Sequence, residues 1–144
     1  MIGISTRIAL AGSGAILGLI GSALIVSPKS FLETSGIMVE RDAGLMSELT
    51  APAGTLLVTG ALMILCAIRQ RFADAGLVAG AIVYGTYGAG RLVSMVLHGM
   101  PSQSLITATL IELGIAATLT VLRMTSATAR SHQTGRRIRT LAAG

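Results

Sequence analysis

The chain is short of charge. Of 144 residues, 12% are Asp, Glu, Lys or Arg, about half the share a soluble domain of this size carries. Tryptophan is absent, and there are only two tyrosines, two phenylalanines and two histidines. The lone cysteine, Cys66, excludes an intrachain disulfide and any CxxC metal or redox motif. His98 and His132 are far apart and have no paired ligand spacing, so no metal site is expected. With aromatics at 3%, the basic stretch Gly135-Arg136-Arg137-Ile138-Arg139 lacks the stacking groups of a nucleic-acid binder, and nucleic acid is not an expected partner. No nucleotide-binding motif is found, and no cofactor is expected.

What is present is apolar. Residues of hydrophobic type make up 52% of the chain, mean hydropathy is +0.77, and 18 glycines are interspersed. Four runs are long enough to cross a bilayer at about 20 residues each: 8–26, 48–68, 75–97 and 104–122. Together they leave room only for loops and a tail, which excludes a soluble catalytic domain. The reading is an all-α, four-helix transmembrane bundle over 1–124, followed by a basic, flexible cytoplasmic tail over 125–144. Pro52 is placed in the first turn of the second run, where its missing N–H costs little, with Asp74 capping the third and Ser102 or Ser104 the fourth.

Orientation follows from the Lys and Arg count. One side holds Arg7, Arg69, Arg71 and the tail arginines Arg123, Arg130, Arg136, Arg137 and Arg139; the other holds only Lys29 and Arg41 beside Glu33, Glu40 and Asp42. The positive-inside rule then puts both termini in the cytoplasm. Arg130, Arg136, Arg137 and Arg139 are placed to meet anionic lipid headgroups. The one sizeable loop, 27–47, carries Phe31, Leu32, Ile37, Met38, Leu45 and Met46 and reads as an interfacial lid over one end of the bundle. Gly14 with Gly18 and Gly76 with Gly80 form small-residue pairs, continued by Gly85 and Gly88. Internal packing is the simpler use for them and a dimer face the sharper one.

Three ionisable residues fall inside the runs: Glu48, Arg91 and Glu112. A lone charge at mid-bilayer costs at least about 2.5 to 3.5 kcal/mol, so such groups face the bundle and find partners. Arg91 and Glu112 lie about 9 and 12 Å from the same end of the bundle at 1.5 Å per residue, so they can pair. On the third run Tyr84, Tyr87, Arg91, Ser94 and His98 share a stripe, and on the second Glu48, Thr55, Thr59 and Cys66 share a seam. The two stripes are expected to face each other across an outward-opening polar pocket. The candidate catalytic residues are Glu48, Arg91 and Glu112, and the candidate binding residues are Tyr84, Tyr87, Arg91, His98, Glu112, Thr55 and Thr59. All but the two threonines have a plain alternative: a register-fixing ion pair for Arg91 and Glu112, a hydrated first-turn acid for Glu48, an interfacial loop residue for His98, and core aromatics for the tyrosines.

Glu48-Leu49-Thr50-Ala51 leading to Gly54, Arg91-Leu92, His98-Gly99-Met100-Pro101-Ser102 and Glu112-Leu113 together resemble the bacterial domain of unknown function 4345 family, over residues 8–122. That family looks loosely like the DoxX-like proteins. Two positions depart from its pattern: Thr50 stands where an Arg tends to follow Glu-Leu, and His98 stands where an acid precedes the loop glycine. The resemblance implies a small four-helix protein of the bacterial inner membrane and implies no reaction.

Two functions fit these residues. One is a non-enzymatic accessory or scaffold subunit that docks on a membrane partner or a second copy, its polar cluster setting helix register. The other is a cofactor-independent membrane enzyme, of isomerase or epoxide-opening type, acting on an amphipathic small molecule. There a carboxylate would move a proton while Arg91 or a tyrosine steadies an oxyanion. Transport is a more remote third, because no broken helices or inverted repeats are visible.

Overall fold

The structure, a computed structural model, describes residues 3–38 and 42–142, with side chains described as far as residue 128. Five α-helices and one short turn of 3-10 helix account for nearly all of it, and no strand occurs among the described residues. They are α1 (Ile4–Val26), α2 (Pro28–Thr34), α3 (Ala43–Ile68), α4 (Ala73–His98) and α5 (Gln103–Ala142), with the 3-10 turn Gln70–Phe72 joining α3 to α4. Helices α1, α3 and the 103–128 portion of α5 are long and apolar enough to cross a membrane, with mean hydropathies of 2.1, 2.0 and 2.0. Helix α4 matches them in length but is less apolar, since its glycines, Tyr84, Tyr87, Thr86, Ser94 and Arg91 dilute the aliphatic residues.

The long helices pack as two antiparallel pairs, α1 along α3 and α4 along α5, with α4 touching all the others and α3 and α5 apart. The short 99–102 turn sets α4 beside α5, whereas glycine contacts set α1 beside α3 across the longer 27–42 connection. Leu10, Leu17, Leu56, Met63, Leu77, Tyr84 and Leu119 fill the shared centre. Large apolar side chains such as Leu19, Val58, Leu62, Ile82, Leu110 and Val121 point outward, as lipid-facing positions require.

Glycine brings the first pair into backbone contact. A Cβ on Gly60 would stand 2.5 Å from the Gly14 carbonyl oxygen and 2.7 Å from the Gly18 nitrogen, and one on Gly21 would meet the Ala53 carbonyl at 2.7 Å. Helices that approach this closely gain dispersion contact where lipid leaves no hydrophobic drive between them. In the same way Gly76 faces Cys66, Gly80 faces Met63 and Leu119, and Gly88 faces Leu113. The small-residue pairs seen in the sequence are therefore used inside the bundle.

Several boundaries differ from the sequence reading. Helix α3 starts at Ala43, where Asp42 accepts the Leu45 N–H at 2.9 Å as a side-chain cap, so Pro52 lies in the helix interior and not in its first turn. There it leaves the Glu48 carbonyl without an intrahelical donor. Asp74 is the second residue of α4 and does not cap it; the cap position falls on Phe72, and Asp74 instead lies 3.6 Å from Arg123. Ser102 and Ser104 do not spend their hydroxyls on capping α5: both donate to the Ser35 carbonyl, at 2.7 and 3.4 Å. Helix α5 continues through the basic segment to Ala142. The side chains of Arg130, Arg136, Arg137 and Arg139 lie outside those described, as do Glu40 and Arg41 altogether.

The two ends of the bundle are tied differently. At one end Arg7 Nε donates to the Ala67 carbonyl at 3.2 Å, and Arg123 approaches Asp74. At the other, α2 and the residues after it fold across the helix ends. Gly36, at φ +78°, turns the chain back, with Gly36 N–H on the Glu33 carbonyl and Ile37 N–H on the Leu32 carbonyl. The Ser35 to Ser102 hydrogen bond then latches this cover to the α4–α5 turn.

Candidate functional site

Beneath α2 lies a cavity of about 320 Å³, at the small end of the range for ligand pockets. Its walls come from every helix. Helix α1 gives Leu17, Ile20 and Leu24; the cover gives Phe31, Leu32, Ser35 and Ile37; and α3 gives Leu49, Pro52 and Leu56. Those three walls are apolar but for Ser35. The polar wall is formed by α4 and α5, through Tyr84, Tyr87, Arg91 and Glu112, with Val83, Leu105 and Ala108 between them.

Arg91 and Glu112 form an ion pair. Arg91 Nε donates to both carboxylate oxygens, at 3.0 Å to Oε2 and 3.3 Å to Oε1. Arg91 sits about 10 Å from the end of α4 and Glu112 about 13 Å into α5, so the antiparallel helices deliver them to one level. The glutamate side chain keeps 13% of its surface accessible and the arginine 34%. A guanidinium carries five N–H donors, and here the bond to Glu112 uses the Nε–H alone.

The two tyrosines, one turn apart on α4, have different employments. Tyr84 is 2% exposed and donates its hydroxyl to the Ser13 carbonyl at 2.7 Å, which ties α4 to α1. Tyr87 is half-buried, lines the cavity, and makes no side-chain hydrogen bond among the described residues. Its hydroxyl is thus available to a guest, whereas that of Tyr84 is committed to the fold.

Four of the residues singled out from the sequence therefore come together: Tyr84, Tyr87, Arg91 and Glu112. Glu48, Thr55 and His98 do not join them, being exposed on the outside of the bundle, and half-buried Thr59 does not line the cavity. The polar seam of α3 lies about 90° around the helix, at 100° per residue, from the stripe Ala53, Leu56, Gly60, Met63 and Ala67 that α3 buries. Small residues at the α1 contact decide the rotation, and the seam turns away with it.

Most of the apolar wall carries no distinguishing mark in the sequence. One signal was readable: Ala108 precedes Glu112 by one helical turn and so shares its face. The α1 positions Leu17, Ile20 and Leu24 show no mark that separates them from lipid-facing neighbours.

No cluster that could hold a metal ion occurs among the described residues. No curated protein and no solved structure matches the chain. The profile of a family described as a domain of unknown function, DUF4345, matches residues 5–123, which takes in nearly all of α1, the whole of α2 to α4, the cavity and most of the apolar part of α5. On that match the chain belongs to the DUF4345 family.

Proposed function

We propose that the chain is a four-span protein of the bacterial inner membrane that holds an amphipathic small molecule in the covered cavity. Both termini lie on the cytoplasmic side in this reading, and α2 covers the outer end. The carrying observation is a space of about 320 Å³ with apolar walls on three helical sides and the Arg91–Glu112 pair in the fourth. A pair that served register alone would need no adjoining void, since close packing around it would be cheaper. Helix α4 counts as the fourth span because its polar and small residues, Tyr84, Gly76, Gly80 and Gly88, are buried against the others. Its low hydropathy then reflects an inner position. Proton movement by Glu112, with Arg91 or Tyr87 steadying an oxyanion, is the reaction type such a site would support.

Purification into lipid nanodiscs directly from the native membrane, followed by mass spectrometry of the intact complex, tests this reading. A discrete bound compound below about the mass of a phospholipid is the expected result. Recovery of the chain with phospholipid alone would overturn it.

A second reading, an accessory subunit, is favoured by one observation: Glu48 and Thr55 are exposed on the outward face of α3. Polar groups turned toward lipid are costly, and a partner helix or a second copy would relieve that cost. Site-specific crosslinking from Thr55 in native membranes is expected to capture a protein under this reading, and capture of lipid alone would contradict it.

A further inference from the structure

The balance of charge and hydrogen-bonding groups in the polar wall bears on the kind of molecule it can receive. The Arg91 cation and the Glu112 anion already neutralise one another at 3.0 Å. A carboxylate or ammonium headgroup brought into the cavity would therefore add a net charge with no counter-charge, in surroundings where such a charge is costly. Hydrogen-bonding capacity is unbalanced in the opposite way. Of the five N–H donors of Arg91 only one is used by Glu112, and Tyr87 has a hydroxyl without a partner among the described residues, whereas Glu112 keeps about two of its four lone-pair positions, so donors outnumber the carboxylate acceptors left. The three apolar walls add a single side-chain hydroxyl, that of Ser35. A guest that matches both conditions is neutral and carries an oxygen acceptor.

Placement narrows the guest further. Along the helices, cavity-lining apolar residues lie on both sides of the polar pair: Val83 is deeper than Arg91 on α4, while Leu105 on α5 is nearer the covered end than Glu112. The polar groups are thus set in the side wall, part of the way down, and not at a mouth where a bulky headgroup could remain in water. With about 320 Å³ available, the guest is compact.

From this geometry we infer that the site takes a small, neutral, largely apolar molecule bearing a ketone, ester or epoxide oxygen, which accepts hydrogen bonds from Arg91 and Tyr87. This rests on the binding reading proposed above and specifies its ligand class. Fatty acids, amines and phospholipids are excluded as guests by charge or by size.

The test uses four probes of equal chain length, 2-decanone, decanoate, decylamine and decane, added to the full chain in lipid nanodiscs at pH 7. Unfolding is followed by circular dichroism at 222 nm. A molecule that binds the folded state alone raises the midpoint. The expected order puts 2-decanone above decane, with decanoate and decylamine no higher than decane. In Tyr87→Phe, which breaks no side-chain hydrogen bond among the described residues, the decane effect is expected to persist while the extra shift from 2-decanone falls to less than half. A larger shift from decanoate or decylamine than from 2-decanone overturns the neutral-acceptor inference, and so do equal shifts from 2-decanone and decane. These two outcomes leave the cavity reading standing. A failure of all four probes to shift the midpoint overturns the cavity reading and the inference together.

Discussion

Arg91 and Glu112 meet because two antiparallel helices joined by a tight turn carry them to the same level, and because neither charge has a cheaper place in the bundle. Removing one partner strands the other. With Arg91 keeping about a third of its side-chain surface accessible, Arg91→Leu or Glu112→Leu is expected to cost about 2 to 4 kcal/mol, somewhat below the range for fully enclosed pairs. The double variant leaves no orphan charge and should lose at least about 1.5 kcal/mol less than the sum of the singles. Denaturant unfolding in mixed micelles measures this, and additive losses would show that the two are not energetically coupled. The pair was readable in the sequence because charges in an apolar run have few places to go and helical rise fixes their depth. The separate fates of Tyr84 and Tyr87 were not, since both sit on one stripe and only the Ser13 carbonyl across the α1 interface distinguishes them.

At the scale of helices, α1 and α3 illustrate what hydropathy patterns reveal and what they hide. Their existence follows from apolar length, but their rotation depends on where backbones can touch. Gly60 admits the Gly14 carbonyl and Gly18 nitrogen so closely that a methyl group there must push the helices apart, whereas Gly54 on the same helix has open space around it. Gly60→Ala is therefore expected to lower stability by about 1 to 3 kcal/mol, the usual cost of overpacking. Gly54→Ala should be neutral or slightly stabilising, because alanine favours the helix. Comparable effects from the two substitutions would mean that the α1–α3 contact is looser than described. The same contact explains why the Glu48 and Thr55 seam faces outward: two heptad-like stripes coexist on α3, and the stripe able to make backbone contact takes the inside. The start of α3 was hidden for another reason. Pro52 looked like a first-turn residue, yet a membrane helix can carry proline internally, and Asp42 supplies the start ten residues earlier.

For the molecule as a whole, the two ends are unlike. One carries Arg7, Arg69, Arg71 and Arg123, and the other is covered by α2 and latched by Ser35 to Ser102. If the arginine end faces the cytoplasm, a cysteine at the exposed α2 position in Ser30→Cys should react with an impermeant thiol reagent in intact cells. Thr134→Cys should react only after permeabilisation, both variants carrying Cys66→Ala. The reverse pattern would overturn the orientation. The cover itself was anticipated from the apolar residues of the 27–47 loop, and Phe31, Leu32 and Ile37 do line the cavity. The cavity was not foreseen as an apolar chamber, because empty space leaves no periodic trace in a sequence. Its occupancy is the centre of the account, and Ala108 gives the most direct access to it. This small residue lines the space one turn from Glu112, so a larger side chain there must project toward the guest. Ala108→Phe and the outward-facing control Ala117→Phe, each purified from the native membrane into nanodiscs, would be compared with the parent chain by mass spectrometry of the intact complex. The bound small molecule is expected to be retained at parental occupancy in Ala117→Phe and reduced at least tenfold in folded Ala108→Phe. Undiminished occupancy in folded Ala108→Phe would contradict it.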